Sequence, residues 1–425
     1  HKIMAGLQDA YLYANNTKAL QINKGIANWA ENTIKELDEA QIQKMLICEY
    51  GGMSEVTANT YAFTGDKKYL DLSYKFYDKK VLDTLANGKD QLAGKHSNTQ
   101  IPKIIASARR YALTNNAKDL KIATFFYNAI TKNHTYANGG NSNYEYLNAP
   151  GKLNDYLTDN TTETCNTYNM LKLTRHLFAL EPEASYMDYY EKALYNHILA
   201  SQNHNNGMTC YFVPLRMGGK KEFSDEFNTF TCCVGSGMEN HVKYNESIYF
   251  RGSNGDLFVN LFIPSLLNWK EKGVTIKQET QLPASDLVTF TINTAKPSKF
   301  TFRFRQPHWT KNFLVKINGK AEEDIVIGSN GYVVISGTWK NNDKIELTIP
   351  SNLYTEAIPD NPNRRAVFYG PTLLAGVLGE KEPDPLKGVP VFVSSTNNAN
   401  DWIKATDKSK LHFVTNNLAK PNEVQ

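Results

Sequence analysis

An aromatic residue, a short polar turn and an apolar residue nine positions on recur four times in the first half of this chain. Tyr11-Leu12-Tyr13-Ala14-Asn15-Asn16 leads to Leu20, and Tyr61-Ala62-Phe63-Thr64-Gly65-Asp66 leads to Leu70. Tyr111-Ala112-Leu113-Thr114-Asn115-Asn116 then leads to Leu120, and Phe178-Ala179-Leu180-Glu181-Pro182-Glu183 to Met187. The intervals are 50, 50 and 67 residues. A polar turn between two helical patterns makes an αα-hairpin. Recurrence at such a period signals units that bury their faces only against one another. On the helix after the first turn, Ile22, Ile26, Trp29, Ala30 and Leu37 are expected to share one face, with Asn23, Lys24, Asn28, Glu31 and Lys35 pointing elsewhere.

Near Ser247 the period changes. Ile248-Tyr249-Phe250, Leu257-Phe258-Val259-Asn260-Leu261-Phe262, Val274-Thr275-Ile276 and Val288-Thr289-Phe290-Thr291-Ile292 read as strands. The series continues through Thr301-Phe302-Arg303-Phe304-Arg305, Leu314-Val315-Lys316-Ile317, Tyr332-Val333-Val334-Ile335 and Ile345-Glu346-Leu347-Thr348-Ile349. Turn signals at Asn254-Gly255, Asn318-Gly319 and Asn330-Gly331 punctuate it. Many short strands at this spacing indicate a β-sandwich. The expected architecture is multidomain: an α/α-type helical barrel over residues 1–246, a β-sandwich over 247–383, and a second β module or packing segment over 384–425. Closed toroids need about six hairpins, so the barrel is expected to lack its N-terminal part. The opening His1-Lys2-Ile3-Met4 is read the same way, as a start inside a longer protein.

With 41% hydrophobic residues among 425, the chain can bury large cores. Forty-seven basic residues against 43 acidic ones leave only +4, with no basic cluster of the kind that grips nucleic acid. No apolar run approaches the roughly 18 residues of a membrane span.

Three of the five cysteines fall into two tight motifs, Glu163-Thr164-Cys165 and Cys232-Cys233. Three sulfurs and one carboxylate oxygen suit the tetrahedral shell of zinc. Adjacent cysteines pair with each other only under strain, and no C-x-x-C knuckle of a structural site is present, so the pattern points to chemistry. Ligands at i and i+2 face different sides of a helix, which places Glu163 and Cys165 on the lead-in to the helical run 166–173. Cys232-Cys233 are expected to precede a flexible turn, Val234-Gly235-Ser236-Gly237, that enters a helix at Met238. Cys48 and Cys210 read as small buried apolar residues. Glu145 follows the Gly139-Gly140 turn; it is either a solvated loop carboxylate or a proton donor to a leaving oxygen.

These motifs resemble those of a known group. Thr162-Glu163-Thr164-Cys165-Asn166-Thr167-Tyr168-Asn169-Met170, Cys232-Cys233-Val234-Gly235-Ser236-Gly237-Met238-Glu239 and Gly139-Gly140-Asn141-Ser142 look like the β-L-arabinofuranosidases of glycoside hydrolase families 127 and 146, and their wording is closer to the second. His96-Ser97-Asn98-Thr99-Gln100-Ile101-Pro102-Lys103 and Tyr211-Phe212-Val213-Pro214-Leu215 fit as well, and the likeness runs roughly from His1 to Gly370. The resemblance implies an (α/α)6 barrel followed by β-sandwich domains. It implies Zn2+ held by Glu163, Cys165, Cys232 and Cys233, a retaining mechanism with Cys232 as nucleophile, and Glu145 as general acid/base. His96, Tyr211 and His1 would contact the sugar. The implied partner is an arabinose-containing oligosaccharide or glycan, for which hydroxyproline-linked arabinose, pectic side chains and arabinan branches all fit. Export to the periplasm or cell exterior is expected, although a zinc–thiolate site also tolerates a reducing cytoplasm.

Two competing readings make different demands on the same residues. A toroid hydrolase or lyase using carboxylates alone would not need Cys232. A glycan-binding protein with a structural zinc would bind sugar without Glu145 and turn nothing over.

Overall fold

The computed structural model describes residues 1–323, 325–379 and 388–420. The boundary expected between residues 383 and 384 lies outside the described residues. Two compact units are present. The first comprises His1–Thr135, Asn141–Lys152 and Cys165–Leu180, and the second the remaining segments.

The first unit is helical. Its helices are α1 (Lys2–Ala14), α2 (Thr17–Ile34), α3 (Glu39–Met45), α4 (Met53–Thr64), α5 (Lys67–Lys75), α6 (Lys79–Ala86), α7 (Ser97–Thr114), α8 (Ala117–Ala129) and α9 (Thr164–Leu180). The structure gives the repeated turn a physical meaning. Asn15, Gly65 and Asn115 each end a helix in the left-handed conformation, at φ 53°, 70° and 57°. The next residue, Asn16, Asp66 or Asn116, caps the following helix by accepting a backbone N–H from Ala19, Lys68 or Lys118. A left-handed stop followed at once by an Asx N-cap reverses the chain in two residues. The fourth turn, between α9 and the helix Ala184–Ala193 (α10), lacks this device, because Glu183 makes no side-chain cap.

The buried face of α2 differs from the expected one. Ala19, Asn23, Ala27, Ala30 and Ile34 are buried, whereas Ile22 and Trp29 are 47% and 68% exposed. Ile26 and Leu37 do pack on the core that holds Ala27 and Ile34. The helix is rotated because Asn23 is satisfied inside: its amide donates to Thr60 Oγ1 at 2.8 Å, and its carbonyl accepts from Gln8 at 3.3 Å. A buried amide with partners costs little, and an alanine stripe lets helices approach closely.

The second unit carries α10 (Ala184–Ala193), α11 (Cys232–Lys243) and the β-rich part. Its strands begin β1 (Tyr249–Arg251), β2 (Leu257–Val259), β3 (Ser265–Trp269), β4 (Val274–Thr280), β5 (Leu287–Thr294) and β6 (Ser298–Arg305). They continue with β7 (Leu314–Ile317), β8 (Lys320–Ala321), β9 (Val326–Ile327), β10 (Tyr332–Trp339) and β11 (Asp343–Thr348). One sheet has the order β1-β2-β6-β10-β9 and the other β3-β4-β5-β11-β7-β8. Alternate residues point into a shared core: Val288, Phe290 and Ile292 from β5, Phe300, Phe302 and Phe304 from β6, and Ile345 and Leu347 from β11. This is the period-two sandwich pattern. Every strand-like run from Ile248 to Ile349 overlaps one of these strands, though Asn260-Leu261-Phe262 lie beyond the end of β2. By contrast β3, with its alternating Leu266 exposed and Trp269 buried, and the two-residue β8 and β9 carry too weak a signal to be seen.

Candidate active site

Glu145 sits at the tip of a very tight hairpin. Asn143 and Tyr146 exchange both backbone hydrogen bonds, at 2.9 and 3.1 Å, leaving Tyr144 and Glu145 as the two turn residues. Both have positive φ, 48° and 69°, as a type I′ turn demands. Tyr and Glu rarely adopt that conformation, so no turn signal marks the place in the sequence. The Gly139-Gly140 pair does not make this turn. Instead, a Cβ on Gly140 would come within 2.6 Å of Thr162 and 2.7 Å of His197, so the glycine serves close packing.

A short antiparallel pairing holds His96 beside this tip. Ser97 N–H donates to the Glu145 carbonyl at 2.8 Å, and Leu147 N–H to the Lys95 carbonyl at 3.0 Å. His96 is also the N-cap of α7, where its Nδ1 accepts from Thr99 N–H at 3.3 Å and approaches Thr99 Oγ1 at 3.1 Å. An accepting Nδ1 leaves the proton of neutral imidazole on Nε2, and that nitrogen lies 3.6 Å from Glu145 Oε2. Asn141 and Asn166 brace the loop from behind: Asn141 Oδ1 accepts from Ser97 Oγ at 2.6 Å and from Asn166 Nδ2 at 3.1 Å. Asn166 Nδ2 also reaches Ser142 Oγ at 2.8 Å. Both bracing asparagines lie inside sequence motifs, Asn141 in Gly139–Ser142 and Asn166 in Thr162–Met170, in which residue type alone does not mark them for this role.

The second cluster is built on a different scaffold. Residues 162–164 pair with 211–213: Thr164 N–H donates to the Tyr211 carbonyl at 2.9 Å, Val213 N–H to the Thr162 carbonyl at 3.2 Å, and Glu163 bridges Phe212. Thr162 adopts φ 58° to enter this pairing and donates its hydroxyl to the Val213 carbonyl at 2.8 Å. Glu163 therefore precedes α9 directly, with Cys165 two residues on as the second residue of the helix. Cys232 and Cys233 do not lead into a turn, as expected, but open α11 themselves after an extended Thr231. Gly237 is inside that helix because a Cβ there would stand 2.5 Å from Thr209.

Glu163 Oε1 lies 3.9 Å from both Cys232 Sγ and Cys233 Sγ. One ligand atom from each of Glu163, Cys165, Cys232 and Cys233 lies within 4.8 Å of all the others. A tetrahedral zinc with bonds of about 2.0–2.3 Å separates its ligands by about 3.5–3.8 Å; the donor set and spacing fit such an ion. Both Cys232 and Cys233 lie at the positive end of a helix, which favours the anionic form of a thiol. Glu163, Cys165 and Cys233 are buried, at 0%, 2% and 1% exposure, whereas Cys232 is exposed. Tyr211 turns its hydroxyl to within 3.5 Å of Cys232 Sγ.

The remaining candidates separate cleanly. The His1 ring packs on Gly51 and Gly52, where a Cβ would come within 2.8 and 2.6 Å of it. Cys210 is fully buried, and burial raises its thiol to about 11. Cys48 is exposed, contrary to its reading as a core residue, because it follows the short helix α3 beside the solvent-facing Ile47. No helix among the described residues is long and apolar enough to cross a membrane.

A family model for the β-L-arabinofuranosidase GH127 catalytic domain matches residues 1–246, and one for the GH127 middle domain matches residues 256–351. A curated non-reducing end β-L-arabinofuranosidase from Bifidobacterium longum is 24% identical over 243 residues, 51% of this chain and 36% of that protein. The chain thus spans little more than a third of the curated relative. Among solved structures, a protein described as a glycoside hydrolase superposes with TM-score 0.74 at 20% identity, over 87% of this chain and 68% of the other. A GH127 β-L-arabinofuranosidase from Geobacillus stearothermophilus T6 gives 0.70 at 20% identity, over 87% and 65%. These matches fit an architecture of an α/α-type helical domain followed by a β-sandwich. With its catalytic-domain match covering more than half of the sequence, the chain belongs to the GH127 β-L-arabinofuranosidase family.

Proposed function

We propose that this protein releases L-arabinose from β-L-arabinofuranosides of plant-derived glycans with retention of configuration. Residues 1–246 carry the reaction, Cys232 as nucleophile and Glu145 as acid/base. The observation that carries the reading is the asymmetry of the thiol cluster: three of its four ligand residues are buried, and Cys232 alone is exposed. A purely structural zinc site would gain nothing from that opening.

In the first step the Cys232 sulfur attacks the anomeric carbon, the glycosidic C–O bond breaks, and the leaving oxygen takes a proton from Glu145. In the second, the Glu145 carboxylate removes a proton from water as its oxygen bonds to the anomeric carbon and the C–S bond breaks. This is the retaining double displacement with sulfur in place of the nucleophilic carboxylate. Bound zinc would keep the sulfurs in the thiolate form and ease departure of Cys232 in the second step. His96 presents an N–H toward the carboxyl and so orients it, while His96, Tyr211 and His1 supply contacts to the furanose. The wording of the motifs is closer to that of family 146, and action outside the cytoplasm suits a glycan of the plant cell wall.

The test is release of L-arabinose from p-nitrophenyl β-L-arabinofuranoside by the protein and by Cys232→Ser, with zinc measured on both. Loss of turnover by about 10⁴-fold or more in a variant that still holds zinc is expected. A variant as fast as the parent would leave the carboxylate-only reading in its place. No turnover by the parent, with sugar binding that survives Glu145→Gln, would make this a glycan-binding protein.

A further inference from the structure

The segment that delivers Cys232 to the surface carries two phenylalanines in full contact with water. Phe227 is 89% exposed and Phe230 103%. A soluble protein seldom leaves large aromatic side chains this bare without a use for them. The loop that bears them is rigid: the Asp225 carboxylate accepts the backbone N–H of Phe227 at 2.9 Å, of Asn228 at 2.5 Å and of Thr229 at 3.1 Å. Thr229 Oγ1 in turn accepts from Asp225 N–H at 3.0 Å. The rings are therefore held out on a fixed backbone.

Their place in the chain ties them to the reacting sulfur. Phe230 and Cys232 flank Thr231, which is extended at φ −111° and ψ 164°. Side chains on either side of an extended residue leave the backbone on the same side, and their Cα atoms are at most about 7 Å apart. On the proposed mechanism, a phenyl ring two residues from the attacking sulfur is within reach of the group that leaves.

We propose that Phe230, supported by Phe227, is a stacking platform for the leaving-group side of the substrate. The platform selects a leaving group that presents a C–H face, such as a second furanose or a pyranose, over a small alcohol. Phenylalanine offers no hydrogen bond, so recognition is by ring contact and does not fix the linkage. The inference rests on Cys232 being the nucleophile of an arabinofuranosidase. A second copy of this chain is the competing occupant; it would also cover Met238 and Val242, which are 64% and 81% exposed further along α11.

The experiment compares kcat/KM for methyl β-L-arabinofuranoside and for a β-L-arabinofuranosyl-L-arabinose disaccharide, in the protein, Phe230→Ala, Phe230→Tyr and Phe227→Ala/Phe230→Ala. The disaccharide-to-methyl ratio is expected to fall about tenfold in Phe230→Ala, further in the double variant, and to recover in Phe230→Tyr. A ratio that does not move overturns the proposal. So does a dimer, by sedimentation, that dissociates in the double variant while the ratio stays constant. Calorimetry of the disaccharide on Glu145→Gln, with and without Phe230→Ala, separates the two readings. Phe230-dependent binding beside an inert parent removes the hydrolase reading and the leaving-group role with it, whereas binding indifferent to Phe230 beside an active parent removes the platform alone.

Discussion

Inside the β-sandwich, Phe290, Phe300, Phe302 and Phe304 pack ring against ring, with Phe302 and Phe304 stacked at 5.0 Å and Trp339 edge-on to Phe302 at 5.3 Å. The helical unit buries something else. Arg110 is fully buried and grips Asp119 through Nη2 at 2.7 Å and Nε at 3.1 Å, while Tyr74 donates to the same carboxylate at 2.8 Å. Gln8, Asn23 and Thr60 form a second buried polar group, and Lys172 meets the buried Glu55 at 2.7 Å. The inter-sheet core is held by apolar area and the helical unit by apolar area threaded with paired polar groups. Outside its inter-sheet core the second unit has such a group too, the buried Arg305 against Asp188 and Glu191. The apolar core tolerates loss of any single partner according to volume; the paired groups depend on both members of each pair being present.

The largest effects should come from breaking each kind of core. Phe302→Ala should lower stability by about 3–5 kcal/mol, read by urea unfolding. Asp119→Ala should cost about 3–5 kcal/mol as well, because it strands a buried guanidinium. The two differ in rescue: Arg110→Met combined with Asp119→Leu should regain much of the loss. If the double variant is as unstable as the single, the loss does not come from a stranded guanidinium. Next in size, Asn23→Ala should cost about 1–3 kcal/mol by leaving Thr60 and Gln8 short of a partner.

Acid should then act through buried histidines. Burial holds His176 of the helical unit at about 4, with nearby Lys172, Arg109 and Arg175 opposing its charge. In the second unit, burial holds His197 at about 3. A histidine whose folded value is depressed binds more protons unfolded than folded below its ordinary 6.5, so stability should fall as pH drops from 6.5 toward 4, and for His197 toward 3. A Tm flat over that interval would show that neither imidazole stays neutral in the fold. The smallest effect belongs to Trp29→Ser, which should change stability by no more than about 0.5 kcal/mol; a larger loss would put Trp29 in a core.

The same contrast decides what could be read from the residues alone. Sandwich strands announce themselves because the inner positions are apolar at period two, so β5, β6, β10 and β11 stand out. The helical hairpins are legible through their turns, since Asn-Asn and Gly-Asp pairs do both stopping and capping. The inward face of α2 is not legible, because hydropathy assigns Trp29 to the inside and Asn23 to water, and the hydrogen bonds to Thr60 and Gln8 reverse both. At the candidate site, the thiols and Glu163 are marked by residue type and spacing. The I′ hairpin under Glu145 is hidden, because Tyr144 and Glu145 carry none of the turn residues that such a geometry favours. The exposure of Phe230 is hidden too, since an isolated phenylalanine looks like core.

That hairpin has a consequence for how the protein can change. Ser142, Tyr144 and Glu145 all sit at positive φ within four residues, at 76°, 48° and 69°, and each such residue costs about 1 kcal/mol or more. Glycine at Tyr144 would relieve part of that cost and should raise Tm, while letting the tip of the turn sample other shapes. A position where the chain could be stabilised is thus the one that aims the proposed acid/base. Selection for thermal robustness and selection for turnover would pull this loop in opposite directions, and a drifting sequence that gained glycine here would gain durability while its carboxyl lost a fixed direction.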